Sequence, residues 1–192
     1  MKFGIDRLLQ DRAVRKPLDG RRVALLAHPA SVTADLTHTI DALAAHEDFR
    51  LTAAFGPQHG MRGEKQDNMI ETDDYKDPAY GIPVFSLYGK VRRPTPAMME
   101  TFDVLLVDLQ DLGTRVYTFV TTLRYVLEAA ARLGKAVWVL DRPNPIGRPV
   151  EGLLLKSGWE SFVGAGPMPM RHGRTLGELG AWLVQHLKLD LE

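Results

Sequence analysis

Asp103-Val104-Leu105-Leu106-Val107-Asp108 is an unbroken apolar run with a carboxylate at each end. A short run of this kind reads as a strand buried on both faces, as in a parallel sheet. Working outward, Arg22 to Ala27 and Lys135 to Leu140 repeat the pattern, and Phe49 to Phe55 and Val84 to Tyr88 supply two more strands. Helical spacing fills the gaps between them. Leu36, Ile40, Leu43 and Ala44 predict a helix over Thr33 to Ala45, capped by Thr33 or Asp35. Val116, Val120, Leu123, Leu127 and Ala130 predict a long helix from about Tyr117 to Leu133, closed by Gly134. A Thr175-x-x-Glu178 capping box opens a last helix that runs to Leu189. Strands alternating with helices predict an α/β fold: a parallel sheet with helices on both faces.

Composition narrows the function classes. The chain has 192 residues, no cysteine, and 24 Lys+Arg against 24 Asp+Glu. At 45% hydrophobic and 25% charged it is too apolar and too neutral for a disordered chain. The length predicts one domain with a core of its own. Zero cysteine excludes a disulfide scaffold, thiolate zinc, Fe–S clusters and a cysteine nucleophile. Zero net charge predicts no nucleic-acid partner and no anionic-membrane partner. No apolar run approaches the roughly 20 residues that span a bilayer. Met1 to Gln10 carries Asp6 and Arg7 and is not a signal peptide as written. The expected location is therefore cytoplasmic, or periplasmic or secreted if the natural N-terminus is longer.

Ligands of open α/β sheets bind outside the carboxyl ends of the strands. Here the segment after each strand is polar. His28-Pro29 comes after the first, Gly56-Pro57-Gln58-His59-Gly60-Met61-Arg62-Gly63-Glu64 after the second and Tyr88-Gly89 after the third. Asp108-Leu109-Gln110-Asp111-Leu112-Gly113-Thr114-Arg115 comes after the fourth, and Asp141-Arg142-Pro143-Asn144-Pro145-Ile146-Gly147 after the fifth. Five polar clusters on one sheet edge predict an active cleft there. Two long segments without regular structure, Gly56 to Pro83 and Asp141 to Thr175, are of a length that tends to be functional.

Individual residues carry two readings each. His59 and Arg62 hold a carboxylate or a sugar hydroxyl, or they decorate a tight turn. Asp108 and Asp111 are desolvated carboxylates suited to acid/base work, or an aspartate caps the helix and pairs with Arg115. Arg142 and Arg174 bind a ligand or form structural ion pairs. Arg171-His172-Gly173-Arg174 precedes the last helix, whose N-terminal amides favour anions. Several motifs are absent: Gly-x-Gly-x-x-Gly, the phosphate-binding Gly-x-x-x-x-Gly-Lys-Ser/Thr loop, and the Gly-x-Ser-x-Gly elbow. The histidines fall at no metal-ligand spacing, so neither a cofactor nor a metal is expected. His38, His46 and His186 read as surface residues of helices.

Gly56-Pro57-Gln58-His59-Gly60-Met61-Arg62-Gly63 resembles the Gly-Pro-Glu-His-Gly-x-Arg-Gly motif of the bacterial exo-β-N-acetylmuramidase family. The likeness continues through Gly81 to Gly89, Asp108 to Thr118, Leu140 to Gly147, Val150-Glu151-Gly152, Ser161 to Gly164 and Pro169 to Gly173. Together these blocks cover roughly residues 20 to 187, in one order.

The resemblance implies a glycoside hydrolase that removes terminal β-1,4-linked N-acetylmuramic acid from the non-reducing end of peptidoglycan fragments. The implied fold is a Rossmann-like catalytic domain over residues 1–192. On this resemblance the chain is expected to be a fragment of a longer two-domain protein, with the family's smaller C-terminal domain, which partly covers the cleft, expected to lie outside it. An over-open cleft is therefore expected, with apolar surface exposed on the last helix near Trp182 and Leu183. One departure stands out: the family's glutamate between Pro and His is Gln58 here. An amide cannot exchange a proton as a carboxyl does. Glycoside hydrolysis ordinarily uses two carboxyls, about 5 Å apart for retention or about 6.5–9.5 Å for inversion. The candidate acids are Glu64, Glu71, Asp108, Asp111 and Glu151. Gln58, His59, Arg62, Gln110, Arg115, Tyr117, Asp141, Arg142, Asn144, Arg171 and His172 are the expected substrate-binding residues. The implied partner is a peptidoglycan-derived saccharide, and Arg62 suits its lactyl carboxylate. The alternative reading is a muramic-acid-binding protein without turnover.

Overall fold

A computed structural model describes residues 2–63 and 70–191. Its centre is a six-stranded sheet: β1 (Arg22–Ala27), β2 (Arg50–Gly56), β3 (Tyr75–Lys76), β4 (Pro83–Ser86), β5 (Val104–Asp108) and β6 (Ala136–Val139). The order is β3-β4-β2-β1-β5-β6, and every pairing is parallel except β3 with β4. The Asp103–Asp108 run supplies strand β5, whose five residues are all buried.

The period of two along each strand sorts side chains between two cores. Ala24, Leu26, Leu105 and Val107 face one core. It is covered by α4 (Pro96–Met99), α5 (Phe119–Leu133) and α6 (Leu176–Leu187). Val23, Leu25, Ala27, Val104 and Leu106 face the other. That one is covered by α1 (Gly4–Gln10), a short 3-10 turn at Leu18, and α3 (Thr39–Ala44); the one-turn α2 (Arg12–Arg15) links α1 to that turn. Helices therefore cover both faces of the sheet, as the alternation predicts.

Helix ends obey their signals at α5 and α6. Gly134 adopts φ +61° just past Leu133 and ends α5. The Thr175 hydroxyl accepts from Glu178 N at 3.2 Å, and Glu178 accepts from Thr175 N at 2.9 Å, which completes the capping box. The helix expected over Thr33 to Ala45 is shorter: α3 begins at Thr39, and the His38 ring caps it by accepting from Ile40 N. Neither Thr33 nor Asp35 caps it. Their side chains instead accept from Thr37 N, and such local bonds compete with helix. Leu36 sits in the left-handed region at φ +67° and is 79% exposed, so its apolar character reports no helix face.

The expected apolar exposure on the last helix is not found. Leu183 is fully buried, and half-buried Trp182 stacks on His186 at 4.8 Å. The most exposed apolar groups of the C-terminal half lie in the loop after β6 instead, at Leu153 (86%) and Trp159 (74%). No helix among the described residues is long and apolar enough to cross a membrane.

Candidate active site

The strand order locates the crevice. From β1 the chain runs through α3, on one face, to β2; from β5 it runs through α5, on the other face, to β6. The two connections leave the adjacent strands β1 and β5 in opposite directions. That is a topological switch point, where open α/β sheets bind ligands.

His28 leaves the end of β1, and the Gly56–Gly60 turn leaves β2. Asp108 to Thr118 leaves β5 and leads into α5. These segments meet. The Thr118 hydroxyl donates to Gln58 Oε1 at 3.0 Å. The Phe119 ring lies edge-on to His28 at 5.0 Å and to Tyr117 at 4.7 Å. His59 sits at φ +73°, a left-handed conformation rare outside glycine, between Gln58 and a glycine at φ +79°. Such backbone strain gathers at functional sites.

Asp111 and His172 form the buried end of the crevice, each 3% exposed. Asp111 Oδ2 accepts from Gly113 N at 2.7 Å and lies 3.1 Å from His172 Nε2. The two approach at ion-pair distance but off the axis of a hydrogen bond, so His172 Nε2 and Asp111 Oδ1 are both buried without a hydrogen-bond partner among the described residues. His172 Nδ1 accepts from Arg174 N at 3.3 Å, so in the neutral ring the proton sits on Nε2, facing Asp111. Burial and then the negative charge of Asp111 push the Tyr117 phenol up, so Tyr117 keeps its proton at neutral pH.

His28, expected only as part of the polar segment after the first strand, gains a specific place in the site. Burial, and then the neighbouring imidazoles His59 and His38, push it down to about 4 from an ordinary 6.5. The native chain refuses a proton that the unfolded chain takes up between those values. Stability contributed by neutral His28 is complete above pH 6.5 and drains away as pH falls towards 4. On the order of 2 kcal/mol should be lost over that window, allowing for screening of the partly exposed ring. Urea midpoints measured across it should fall, and His28→Gln should flatten the fall. Equal slopes in the two proteins would refute the assignment.

Most of the other expected site residues hold the scaffold. The acid/base role expected of Asp108 is not open to it. Asp108 is fully buried, with both oxygens occupied: Arg142 donates to them at 2.6 and 2.9 Å, and Thr39 donates to Oδ2 at 2.5 Å. Both Asp108 and Arg142 are thus corrected to a closed ion pair. Arg62, expected to take a ligand carboxylate, has its guanidinium held by Asp41 at 2.7 Å and Asp77 at 3.7 Å. Arg115 does not pair with Asp111; it donates to Leu153 O and Met168 O and pins the loop after β6. Asp141 is the anion at the start of α6, accepting from Gly177 N at 2.8 Å and from the Thr175 hydroxyl at 2.7 Å. The helix terminus is therefore filled from within.

Gln110 donates to Asp111 O and Pro143 O, and Asn144 donates to Arg174 O, so both amides tie loops together. Glu151 is 64% exposed at its side chain and pairs with Arg171 at 2.7 Å; Glu71 is 62% exposed and pairs with Arg92 at 3.2 Å. Both are exposed surface pairs, and Glu71 lines the cavity beside Gly56 and Gly60. Glu64 lies outside the described residues. No group of three or more His, Asp or Glu able to hold a metal ion occurs among the described residues. Two cavities of about 240 and 510 Å³ lie beside β4 and Thr72 to Asp74; the smaller is lined by Gly56, Gly60, Met61 and Glu71, and neither is lined by Gln58, His59 or Tyr117. The switch point, where strain and unpartnered buried atoms gather, locates the site better than cavity size does.

Proteins of known family are similar to this chain in sequence and in fold. Residues 23–192 match the family model described as "Exo-beta-N-acetylmuramidase NamZ, N-terminal". The chain is 44% identical over 193 residues to "Peptidoglycan beta-N-acetylmuramidase NamZ" of Bacillus subtilis (strain 168), covering 100% of this chain and 46% of that protein. Two solved DUF1343 family proteins of Bacteroides fragilis NCTC 9343 share the fold. One has a TM-score of 0.88 at 40% identity, covering all of this chain and 48% of that one. The other has a TM-score of 0.79 at 32% identity, covering 98% and 48%. The chain spans about half the length of these relatives. Whole-chain likeness in both sequence and fold places it in the exo-β-N-acetylmuramidase NamZ family, matching the N-terminal part.

Proposed function

We propose that this chain carries the catalytic crevice of a glycosidase that releases terminal N-acetylmuramic acid from the non-reducing end of peptidoglycan fragments. The observation that supports a site here is the buried Asp111 oxygen without a partner among the described residues, beside Tyr117 and His172. An uncompensated buried carboxylate oxygen is costly in a fold that needs nothing from it. Of the five candidate acids, Asp108 is closed off by Arg142, Glu71 and Glu151 hold exposed ion pairs, and Glu64 lies outside the described residues. Asp111 is the buried candidate that keeps an oxygen without a partner among the described residues. Burial, and then the Asp111 charge, raise the Tyr117 phenol above its ordinary value, and the protonated phenol can donate to a sugar oxygen. Gln58 and Thr118, bonded to each other, come from the turn after β2 and the segment leading into α5.

The test is release of N-acetylmuramic acid from a chromogenic β-N-acetylmuramide by the intact protein. Asp111→Asn should cut that release about 100-fold or more, the usual scale for an acid/base group. No release by a correctly folded protein would end the hydrolase reading. Gln58 favours a second reading, a muramic-acid binder without turnover. Heat on titrating N-acetylmuramic acid, without hydrolysis, would establish it.

A further inference from the structure

We propose that the Nε2–H of His28 is a fixed neutral donor that reads the acetamido carbonyl of the bound sugar, while the aromatic cluster of Phe119 and Tyr117 receives the acetamido methyl. The assignment rests on the saccharide reading above.

Four observations support it. First, His28 stands at the end of β1, one side of the switch point. Second, its backbone is locked. His28 N donates to the Ser31 hydroxyl at 2.8 Å, and His28 O accepts from Ser31 N at 2.8 Å. The His38 ring bonds the same oxygen at 3.2 Å, and the Ser31 hydroxyl goes on to donate to Asp108 O. Third, the ring has one orientation and one tautomer. Its edge contact with Phe119 holds the plane, and its Nδ1 accepts from Ala30 N at 3.3 Å. The proton of the neutral ring is therefore on Nε2, which has no partner among the described residues. Fourth, the ring stays neutral: the ionisable groups facing it are the imidazoles His59 and His38, and burial opposes its charging.

These constraints select a ligand chemistry. A carboxylate is best matched by a cation, because charge-assisted bonds are roughly twice as strong as neutral ones. An uncharged N–H suits an uncharged acceptor such as an amide carbonyl. An acetamido group also needs an apolar neighbour for its methyl. His28 and half-buried Tyr117 each lie edge-on to the Phe119 ring, so a group bound to one has the Phe119–Tyr117 aromatic pair within the same cluster. A site built to donate a hydrogen bond discriminates against a ligand that lacks the acceptor.

The experiment compares two sugars by calorimetry: N-acetylmuramic acid, and muramic acid with a free amine. His28→Phe keeps the ring shape without the donor and should weaken binding of the acetylated sugar about 10-fold. It should leave the amine sugar unchanged. His28→Gln places a donor at similar reach and should stay within about threefold of the parent. Equal losses on both sugars, or no loss on either, would overturn the proposal. Ring 15N shifts give an arm that does not depend on a folded Phe variant. His28 should remain a neutral Nε2–H tautomer from roughly pH 5.5 to 8, and that proton should shift with the acetylated sugar alone. A ring that titrates in this range, or carries its proton on Nδ1, overturns the donor. Failure of the parent protein to bind either sugar, with the tautomer as stated, overturns the saccharide reading instead and takes the acetamido assignment with it.

Discussion

Arg142→Ala is expected to destabilise the protein by about 3–5 kcal/mol, the cost of removing one partner from a buried ion pair. Arg142 is 5% exposed and Asp108 is fully buried. The guanidinium donates from Nε to Oδ1 at 2.6 Å and from a terminal nitrogen to Oδ2 at 2.9 Å, a two-point fork. The same terminal nitrogen donates to Val32 O at 2.6 Å, and the guanidinium carbon lies 4.9 Å from the Phe3 ring centroid. One side chain thus joins the ends of β5 and β6 to the loop before α3 and to the N-terminus. Alanine would strand Asp108 in the core with only the Thr39 hydroxyl as a side-chain donor. Urea unfolding should show a lower midpoint at an unchanged slope. The double variant Asp108→Leu with Arg142→Met should recover much of the loss, because it buries no charge. A single-variant loss under about 1 kcal/mol would show that the pair is open to water.

The same pair marks the boundary between what patterning reveals and what only three dimensions reveal. The Asp103–Asp108 run declares itself because both faces of β5 are buried, so a continuous apolar run has one simple explanation. Strands β1, β2, β4 and β6 and helices α5 and α6 emerge from the same patterning, to within a few residues at their ends. Strand β3 is two residues long, and no period can be read from two positions. Leu36 misleads because local Thr33 and Asp35 bonds outweigh a four-residue apolar rhythm. The site is harder, since a polar residue's role depends on distant partners. Asp108 closes β5, and Asp111 follows three residues later in the loop. Arg142, 34 residues on, closes the first, while the second keeps an oxygen without a partner among the described residues. Arg62 turns to Asp41 on α3, and nothing local to its motif foretells that. His28 gains its meaning from Phe119, which reaches it only once β1 and β5 are side by side.

Gln58→Glu is expected to raise release of N-acetylmuramic acid about 100-fold, the scale on which a placed acid or base contributes. The resemblance of the Gly56–Gly63 turn to its family motif puts a glutamate at this position. Here Gln58 Oε1 accepts from the Thr118 hydroxyl at 3.0 Å. A carboxylate oxygen would accept the same bond, so the substitution changes proton chemistry without changing the placement of the side chain. The backbone is already committed, because His59 and Gly60 hold their left-handed conformations beside it. Glutamate would also put a second carboxyl in the crevice with Asp111, matching the two-carboxyl requirement of glycoside hydrolysis. Thr118→Val should then blunt the gain, since the new carboxylate would lose its positioning donor. Turnover should be measured with the chromogenic muramide, and sugar affinity by calorimetry in parallel. If turnover rises while affinity holds, the glutamine limits a site that is otherwise assembled. If turnover stays unchanged in a folded Gln58→Glu protein, the proton comes from elsewhere, and the weight passes to Asp111 and Tyr117.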